Sequence, residues 1–525
     1  MIPLINFISR QSLIHPLLFS IFPLISLYFS NIHLVLPEGI FLPIFLVVSF
    51  SFVFWFFLKF VLKNSKKAAL IVTLFMILFL SYGHILNLFS NFELTSNDIT
   101  NQIYFLIFFI IIFISGTYFF VKTKRKLDNA TKIANIISIS LIAVVITNIG
   151  IYFIENSFAI EENIEIKNDP LKYSSLNPPP NIYYIVLDEY GSYDTLKKYY
   201  DFDNQKFMEF LTKKGFYIPS NSHSNYAETF LSLSSTLNLK YVNYLADKLG
   251  EDSLSQQIPY EMINNNLVMN NFKKIGYKVI SFDSSWWGIR TLDVADENLC
   301  SSGKEIDFHI LYLLKETSIL KLTDVFLQKD TTSVFHEAKR QKILCQFSEM
   351  LKIENKINKP VFVFNYIVAP HDPYVFGPNG EPVNELYTFG PDRGLGYDAN
   401  SELFVHASKK GYVNQLQFLN LKLEEFINHK LSNTNNPPII IIQSDTGPFI
   451  SGNISSEEKI IHRLKNFYAF YLPGETSKIL YENITPVNSF RLIFNTYFGT
   501  TYELLEDRSY YSEYESPYKL FEINN

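Results

Sequence analysis

Residues 437–449 read PPIIIIQSDTGPF, and this stretch decides the fold class. Four consecutive isoleucines leave no polar face, which suits a strand buried on both sides, as in the parallel sheets of α/β proteins. The run ends in Gln443, Ser444 and Asp445, so a carboxylate lies just past the strand's C-terminal end, where open α/β sheets bind ligands. Thr446 follows directly. Whether it is a ligand, a bystander or the mark of a lost site bears on everything the chain can do.

The same pattern extends on either side. From Asn181 onward, short apolar runs alternate with amphipathic segments. Strands are expected at 182–187, 278–283, 361–367, 439–443 and 467–472, and helices at 204–214, 229–239, 260–275, 336–355, 409–430 and 486–497. Three further polar clusters fall where strands end or helices begin. IVLDEYGS sets Asp188 and Glu189 after the first strand, SNYAETFLSLSSTLNL sets Thr229 at a helix start, and VFNYIVAPHDPYVF sets His371 and Asp372 after another strand. Each alone has a plainer reading: Asp188 as a turn or cap, Thr229 as a helix cap, His371 as a turn residue, Asp445 as an Asx turn. Glu189 reads as solvated or as supporting Asp188, because neighbouring residues leave a strand in opposite directions. Together, hydroxyl, carboxylate and imidazole converging on one sheet edge read as a site.

At 525 residues the chain is too long for one ordinary core. Net charge is −6 and no basic stripe appears outside short N-terminal loops, which excludes nucleic acid as a partner. Cys300 and Cys345 lack the close Cys or His neighbours of a zinc cluster. Pairing in an oxidising compartment and two unpaired small hydrophobes are both open readings.

The excess of hydrophobic residues lies in the first third. Apolar runs at 12–31, 40–62, 68–89, 102–122 and 133–153 each approach the ~20 residues that cross a hydrocarbon core of ~30 Å. A stretch such as QIYFLIFFIIIFISGTYFFV has no face to show water. The first run is too long, and too soon followed by a second, for a cleaved signal peptide. Lys59, Lys63, Lys66 and Lys67 mark the second connection and Lys122, Lys124, Arg125, Lys126 and Lys132 the fourth, while the first and third carry no Lys or Arg. The positive-inside rule then puts the N-terminus in the cytoplasm and everything after about residue 154 outside the cytoplasmic membrane. No Lys, Arg, Asp or Glu lies well inside a run, which argues against an ion-coupled transporter. The expected organisation is a five-helix membrane domain over 1–154, an acidic, Pro-rich linker over 155–180 and an extracytoplasmic α/β domain over 181–525, its mostly parallel sheet flanked by helices.

The segments PNIYYIVLDEYGSYD, SNYAETFLSLSSTLN, APHDPYVFGPNG, PPIIIIQSDTGP and TPVNSFRLIFNTYFG resemble the alkaline phosphatase-like superfamily in its sulfatase-like membrane branch. That branch includes lipoteichoic acid synthases and lipid A phosphoethanolamine transferases. The resemblance implies five membrane helices ahead of a catalytic domain that handles phosphate or sulfate esters of lipid- or glycan-linked substrates at the membrane surface. It gives Asp188 as an acidic metal ligand, Thr229 as nucleophile and metal contact, His371 as the histidine near the leaving group, and Asp445 as the acid of the Asp-His-Gly metal motif. A divalent ion, zinc or manganese, would lie between Asp188, Thr229 and Asp445.

The departure is Thr446, which occupies the position of that motif's histidine. A hydroxyl is a weak ligand beside imidazole. His223 or His462 would have to reach in from neighbouring loops, and each reads more simply as a surface histidine; Arg463 reads as an anion contact or a surface arginine. Otherwise the site takes a harder ion, Mn²⁺ or Mg²⁺, on oxygen ligands, or metal and catalysis are lost and the domain binds glycan or partner proteins. Because nucleophile, carboxylates and His371 all remain, retained catalysis is the reading adopted.

Overall fold

The computed structural model describes residues 13–32, 37–91, 99–160, 171, 178–284, 286–301, 314–315, 317–322, 333–353, 359–383, 402–432, 435–474 and 479–523. The chain forms two units, Met1–Phe158 with Lys304–Thr332, and Ala159–Gly303 with Ser333–Asn525. The expected linker over 155–180 lies largely outside the described residues.

The first unit is helical: α1 (His15–Ser30), α2 (Phe41–Leu62), α3 (Ser65–Asn91), α4 (Ile99–Lys122) and α5 (Asp128–Ile160). Among the described residues, four helices are long and apolar enough to cross a membrane, over Phe41–Leu62, Ser65–Leu86, Ile103–Lys122 and Asp128–Ile154. α1 has 16 residues with Pro23 inside it, short of the ~20 that a span needs. The fifth span expected at 12–31 therefore appears as a shorter apolar helix. α5 runs further than the sequence indicates, into the stretch read as linker. Buried polar contacts join the helices: His15 Nδ1 lies 2.6 Å from Thr73 Oγ1, and the backbone N–H of His15 donates to Asn135 Oδ1 at 3.0 Å. Such bonds persist in an apolar bundle because nothing else there can satisfy the groups. Leu322 packs with Tyr82, Leu86 and Phe109, so part of a segment numbered within the α/β half of the chain belongs to this unit.

The second unit is built on a six-stranded sheet, order β3-β2-β4-β1-β5-β6, with β1 Ile182–Asp188, β2 Lys278–Phe282, β3 Glu297–Leu299, β4 Val361–Pro370, β5 Ile439–Ser444 and β6 Tyr468–Tyr471. All pairings are parallel except β5 with the edge strand β6. Every residue of β1, β4 and β5 is buried, as strands covered on both faces must be. Side chains alternate between the faces: Ile182, Tyr184, Val186, Ile439 and Ile441 enter one core, and Tyr183, Ile185, Leu187, Ile440 and Ile442 the other. Each strand expected from sequence is present. The expected helix at 260–275 is two, Gln257–Asn264 and Leu267–Lys274, because Asn266 turns the chain and caps the second by accepting from Met269 N at 2.9 Å. β3 was not anticipated, and neither was the hairpin of β7 (Ser509–Glu513) and β8 (Ser516–Ile523). A three-residue strand and a polar, Tyr- and Glu-rich hairpin give no clear period.

Cys300 and Cys345 form a disulfide across 45 residues of sequence, joining the end of β3 to α7 (Ser333–Lys352), which resolves the pairing left open by the sequence. It closes a loop whose described residues 314–315 and 317–322 fall in the helical unit. Closing a loop of that length restricts the unfolded chain. Cys345→Ala is expected to lower unfolding free energy by about 2–4 kcal/mol, measured by denaturant titration with and without reductant; reductant should then have no further effect on the variant.

Candidate active site

β4, β1 and β5 are adjacent and parallel, so their C-terminal ends present three of the sequence candidates along one edge. Asp188 ends β1, His371 follows β4 and Asp445 follows β5. Backbone bonds fix them: His371 N donates to Asp188 O at 3.0 Å and Asp445 N to Leu187 O at 3.3 Å. The fourth candidate arrives on α6 (Thr229–Leu237). Thr229 Oγ1 donates to Asp445 Oδ2 at 2.6 Å, and one turn on Ser232 Oγ donates to Asp445 O at 2.8 Å. The serines that weaken α6 as an isolated helix are thus bonded within the fold. Thr229 is half-buried, whereas Asp188, Glu189, Glu228, His371 and Asp445 are buried.

Asp445 is heavily bonded. Its Oδ1 accepts from Glu189 N at 3.1 Å and Thr446 N at 2.8 Å, while Oδ2 accepts from Thr229. Thr446 is wholly buried and its Oγ1 has no hydrogen-bond partner among the described residues. Gly447 is required: a Cβ there would meet His462 O at 2.1 Å, so the last turn of the helix Ser456–Leu464 can pack on this loop only past a glycine.

The solvated reading of Glu189 and the surface reading of Arg463 are both corrected. Neither is a surface group. Glu189 adopts φ +65°, a left-handed conformation unusual for a side chain of this size, and is 6% exposed. Arg463, also 6% exposed, bonds Glu189 Oε1 at 2.6 Å and Gly447 O at 2.8 Å through Nη1 and Ala227 O at 3.1 Å through Nε, and stacks on Phe449. One guanidinium therefore ties together the loops carrying Asp188, Thr229 and Asp445. His223 and His462 are buried too, and bonded elsewhere: His223 Nδ1 lies 3.0 Å from Asn221 O and His462 Nδ1 2.7 Å from Thr195 Oγ1. Both are corrections to the surface reading. The apolar residues flanking Arg463 carried the signal that it is covered.

His371 Nδ1 lies 2.7 Å from Asp372 O, and its Nε2 3.9 Å from Glu189 Oε1. Lys339 Nζ donates to the carbonyls of His371, Asp372 and Pro373, holding this loop from α7. Donor atoms of Asp188, Glu189 and His371 lie within 4.8 Å of one another. Two carboxylates and an imidazole fit a divalent cation.

Charge crowding shows in the protonation equilibria. Burial, then the Asp445 charge, pushes the Asp188 carboxyl up to about 8 against the pull of His371. Burial pushes Glu228, next to Thr229, up to about 8 although Arg463 opposes it. Burial works against a charged His371, but Asp188, Glu189 and Asp372 outweigh it and raise the imidazole well above its usual range. Sequence reading passed over Glu228, whose one signal is adjacency to Thr229. Asp188 and Glu228 retain protons in the fold that the unfolded chain releases near pH 4, so the stability they contribute is complete below about pH 4 and is lost as pH rises through about 8. The melting temperature of EDTA-treated protein is expected to fall across that interval, and saturating Mn²⁺ to flatten the fall; a melting temperature that rises toward pH 8 without metal would contradict the placement of these carboxyls.

Among solved structures, the chain is similar to the C-terminal periplasmic domain of EptC from Escherichia coli in complex with zinc, at 12% identity over 67% of this chain and 95% of that one, TM-score 0.43. It is also similar to the integral membrane protein lipooligosaccharide phosphoethanolamine transferase A from Neisseria meningitidis, at 11% identity over 92% and 95%, TM-score 0.36. A third is a putative sulfatase from Bacteroides thetaiotaomicron, at 12% identity over 63% and 77%, TM-score 0.40. No family model and no curated protein matches the chain.

Proposed function

We propose that this chain is a membrane-anchored transferase or hydrolase of phosphate or sulfate esters on cell-surface lipid or glycan, with Thr229 as nucleophile. The observation that carries the reading is the 2.6 Å bond from Thr229 Oγ1 to Asp445 Oδ2 at the N-terminus of α6, where a hydroxyl, its proton acceptor and a helix dipole coincide. In the first step the Thr229 oxygen bonds to phosphorus or sulfur as its proton passes to Asp445. The bond to the leaving oxygen breaks, and that oxygen takes a proton from His371, which its carboxylate neighbours keep charged. In the second step water or an acceptor hydroxyl bonds to phosphorus or sulfur, giving its proton to His371, while the bond to the Thr229 oxygen breaks and Asp445 returns the proton to that oxygen. A divalent cation at Asp188 would neutralise charge on the transferred group and on the attacking oxygen.

The Lys and Arg distribution supports a cytoplasmic N-terminus and an extracytoplasmic α/β domain, beginning near residue 181 after the linker at 155–180. A covalent adduct on the peptide containing Thr229, detected by mass spectrometry after incubation with an artificial phosphodiester or sulfate ester, tests the reading; turnover with the adduct on another residue would refute it. A second reading, a binding protein of the same fold without turnover, is favoured by Thr446 at the place of the metal-binding histidine and by the donors already on both oxygens of Asp445. It predicts neither adduct nor turnover.

A further inference from the structure

We propose that Trp286 is a stacking platform for a sugar ring, the group whose oxygen leaves toward His371 when the ester is cleaved. The inference deepens the reading above and rests on it for the direction of the leaving group. Trp286 lies on the loop that follows β2, and β2 runs parallel beside β4, so this loop emerges at the same sheet edge as Asp188 and His371. The indole and imidazole ring centroids are 6.1 Å apart, edge to face.

The loop holds the indole in one orientation. Trp286 Nε1 donates to Tyr260 Oη at 2.9 Å and Trp286 N to Ser284 Oγ at 3.1 Å, while Ser284 Oγ donates to Ile289 O at 3.0 Å. Gly288 permits this close seating, since a Cβ there would meet Tyr260 Cδ1 and Cε1 at 2.1 Å. Tyr260 in turn packs on Phe230, the residue after Thr229, with ring centroids 5.9 Å apart. Ring contacts therefore run from the neighbour of the proposed nucleophile, through Tyr260 and Trp286, to the imidazole. A group leaving toward His371 from a phosphorus or sulfur atom on Thr229 borders this wall.

What Trp286 leaves exposed decides the class of ligand. Tyr260 is buried and Trp286 half-buried, and because the indole N–H is bonded to Tyr260, the exposed part is aromatic carbon. A face held rigid in this way binds at little entropic cost. A pyranose ring matches it, with C–H groups on its face to meet the indole and hydroxyls at its rim that need polar partners. Arg290, half-buried on the same loop with its Nε 3.7 Å from Asp283 Oδ2, is a donor for such hydroxyls. Arg290 and a charged His371 would repel a cationic group, the other common ligand of a Trp face. An acyl chain would desolvate Arg290 without bonding it.

The test uses the full-length protein in detergent with Thr229→Ala, so that ester ligands stay intact, and measures equilibrium binding of glucose 6-phosphate, glycerol 1-phosphate and butyl phosphate by calorimetry. All three are phosphate esters of primary alcohols and differ in what the alcohol carries. Adding Trp286→Ala is expected to weaken glucose 6-phosphate about tenfold and the other two less than about twofold. Adding Trp286→Phe, which keeps an aromatic face but loses the bond to Tyr260, is expected to weaken glucose 6-phosphate less than about threefold. An equal loss for all three esters would overturn the sugar platform and leave ester binding standing, and a loss confined to butyl phosphate would overturn it in favour of an acyl chain. Failure of every ester to bind would refute both the platform and the proposed function. Sugar-selective binding that depends on Trp286, in a protein whose wild type forms no adduct on Thr229, would support the platform and refute ester transfer alone.

Discussion

Thr229→Ala is expected to abolish turnover of an artificial phosphodiester or sulfate ester, with a loss on the order of 10⁴-fold or more. The substitution removes the half-exposed hydroxyl that is bonded to Asp445. It also leaves Asp445 Oδ2 without its 2.6 Å donor, so Thr229→Ser is the needed companion. Serine keeps the oxygen and is expected to retain measurable activity, with the loss in kcat and not in KM, because the attacking atom remains and only its rotamer restriction is weakened. Equal activity in wild type and Thr229→Ala would remove Thr229 from the chemistry altogether.

Arg463→Met is expected to cost about 3–5 kcal/mol of unfolding free energy, the range for removing one partner of a buried ion pair. The loss leaves Glu189 charged and nearly inaccessible, and frees the carbonyls of Gly447 and Ala227 at the same time. The double variant Arg463→Met with Glu189→Met is expected to recover most of it, since no charge is then left buried. If the double variant is as unstable as Arg463→Met alone, the bonds to the two carbonyls, and not the ion pair, carry the effect. Denaturant titration of all four proteins in the cycle separates the cases.

Periodicity identified the parallel sheet because both faces of its central strands are covered, and IYYIVL, VFVFNYI and IIIIQ therefore read as unbroken apolar runs. The same logic placed Asp188, His371 and Asp445, since each follows such a run. Shorter and more polar elements escaped: β3 has three residues, and β7–β8 alternates too irregularly. The membrane runs were legible from length and apolarity, although the first yields only the 16 residues of α1.

Sequence by itself determined the fold class, the apolar helices and the four residue types that gather at the sheet edge, because these depend on local periodicity and on where strands end. Tertiary structure alone decided how those residues are used. Glu189 and Arg463 are 274 positions apart, and Thr229 and Asp445 are 216 apart; no local pattern links them. Burial turned an apparent surface arginine into a clamp on three loops, bonded Asp445 on both oxygens, and brought donor atoms of Asp188, Glu189 and His371 within 4.8 Å of one another. The physical reason is that strand order brings β4, β1 and β5 together, and the charges at their ends must be paired once water is excluded.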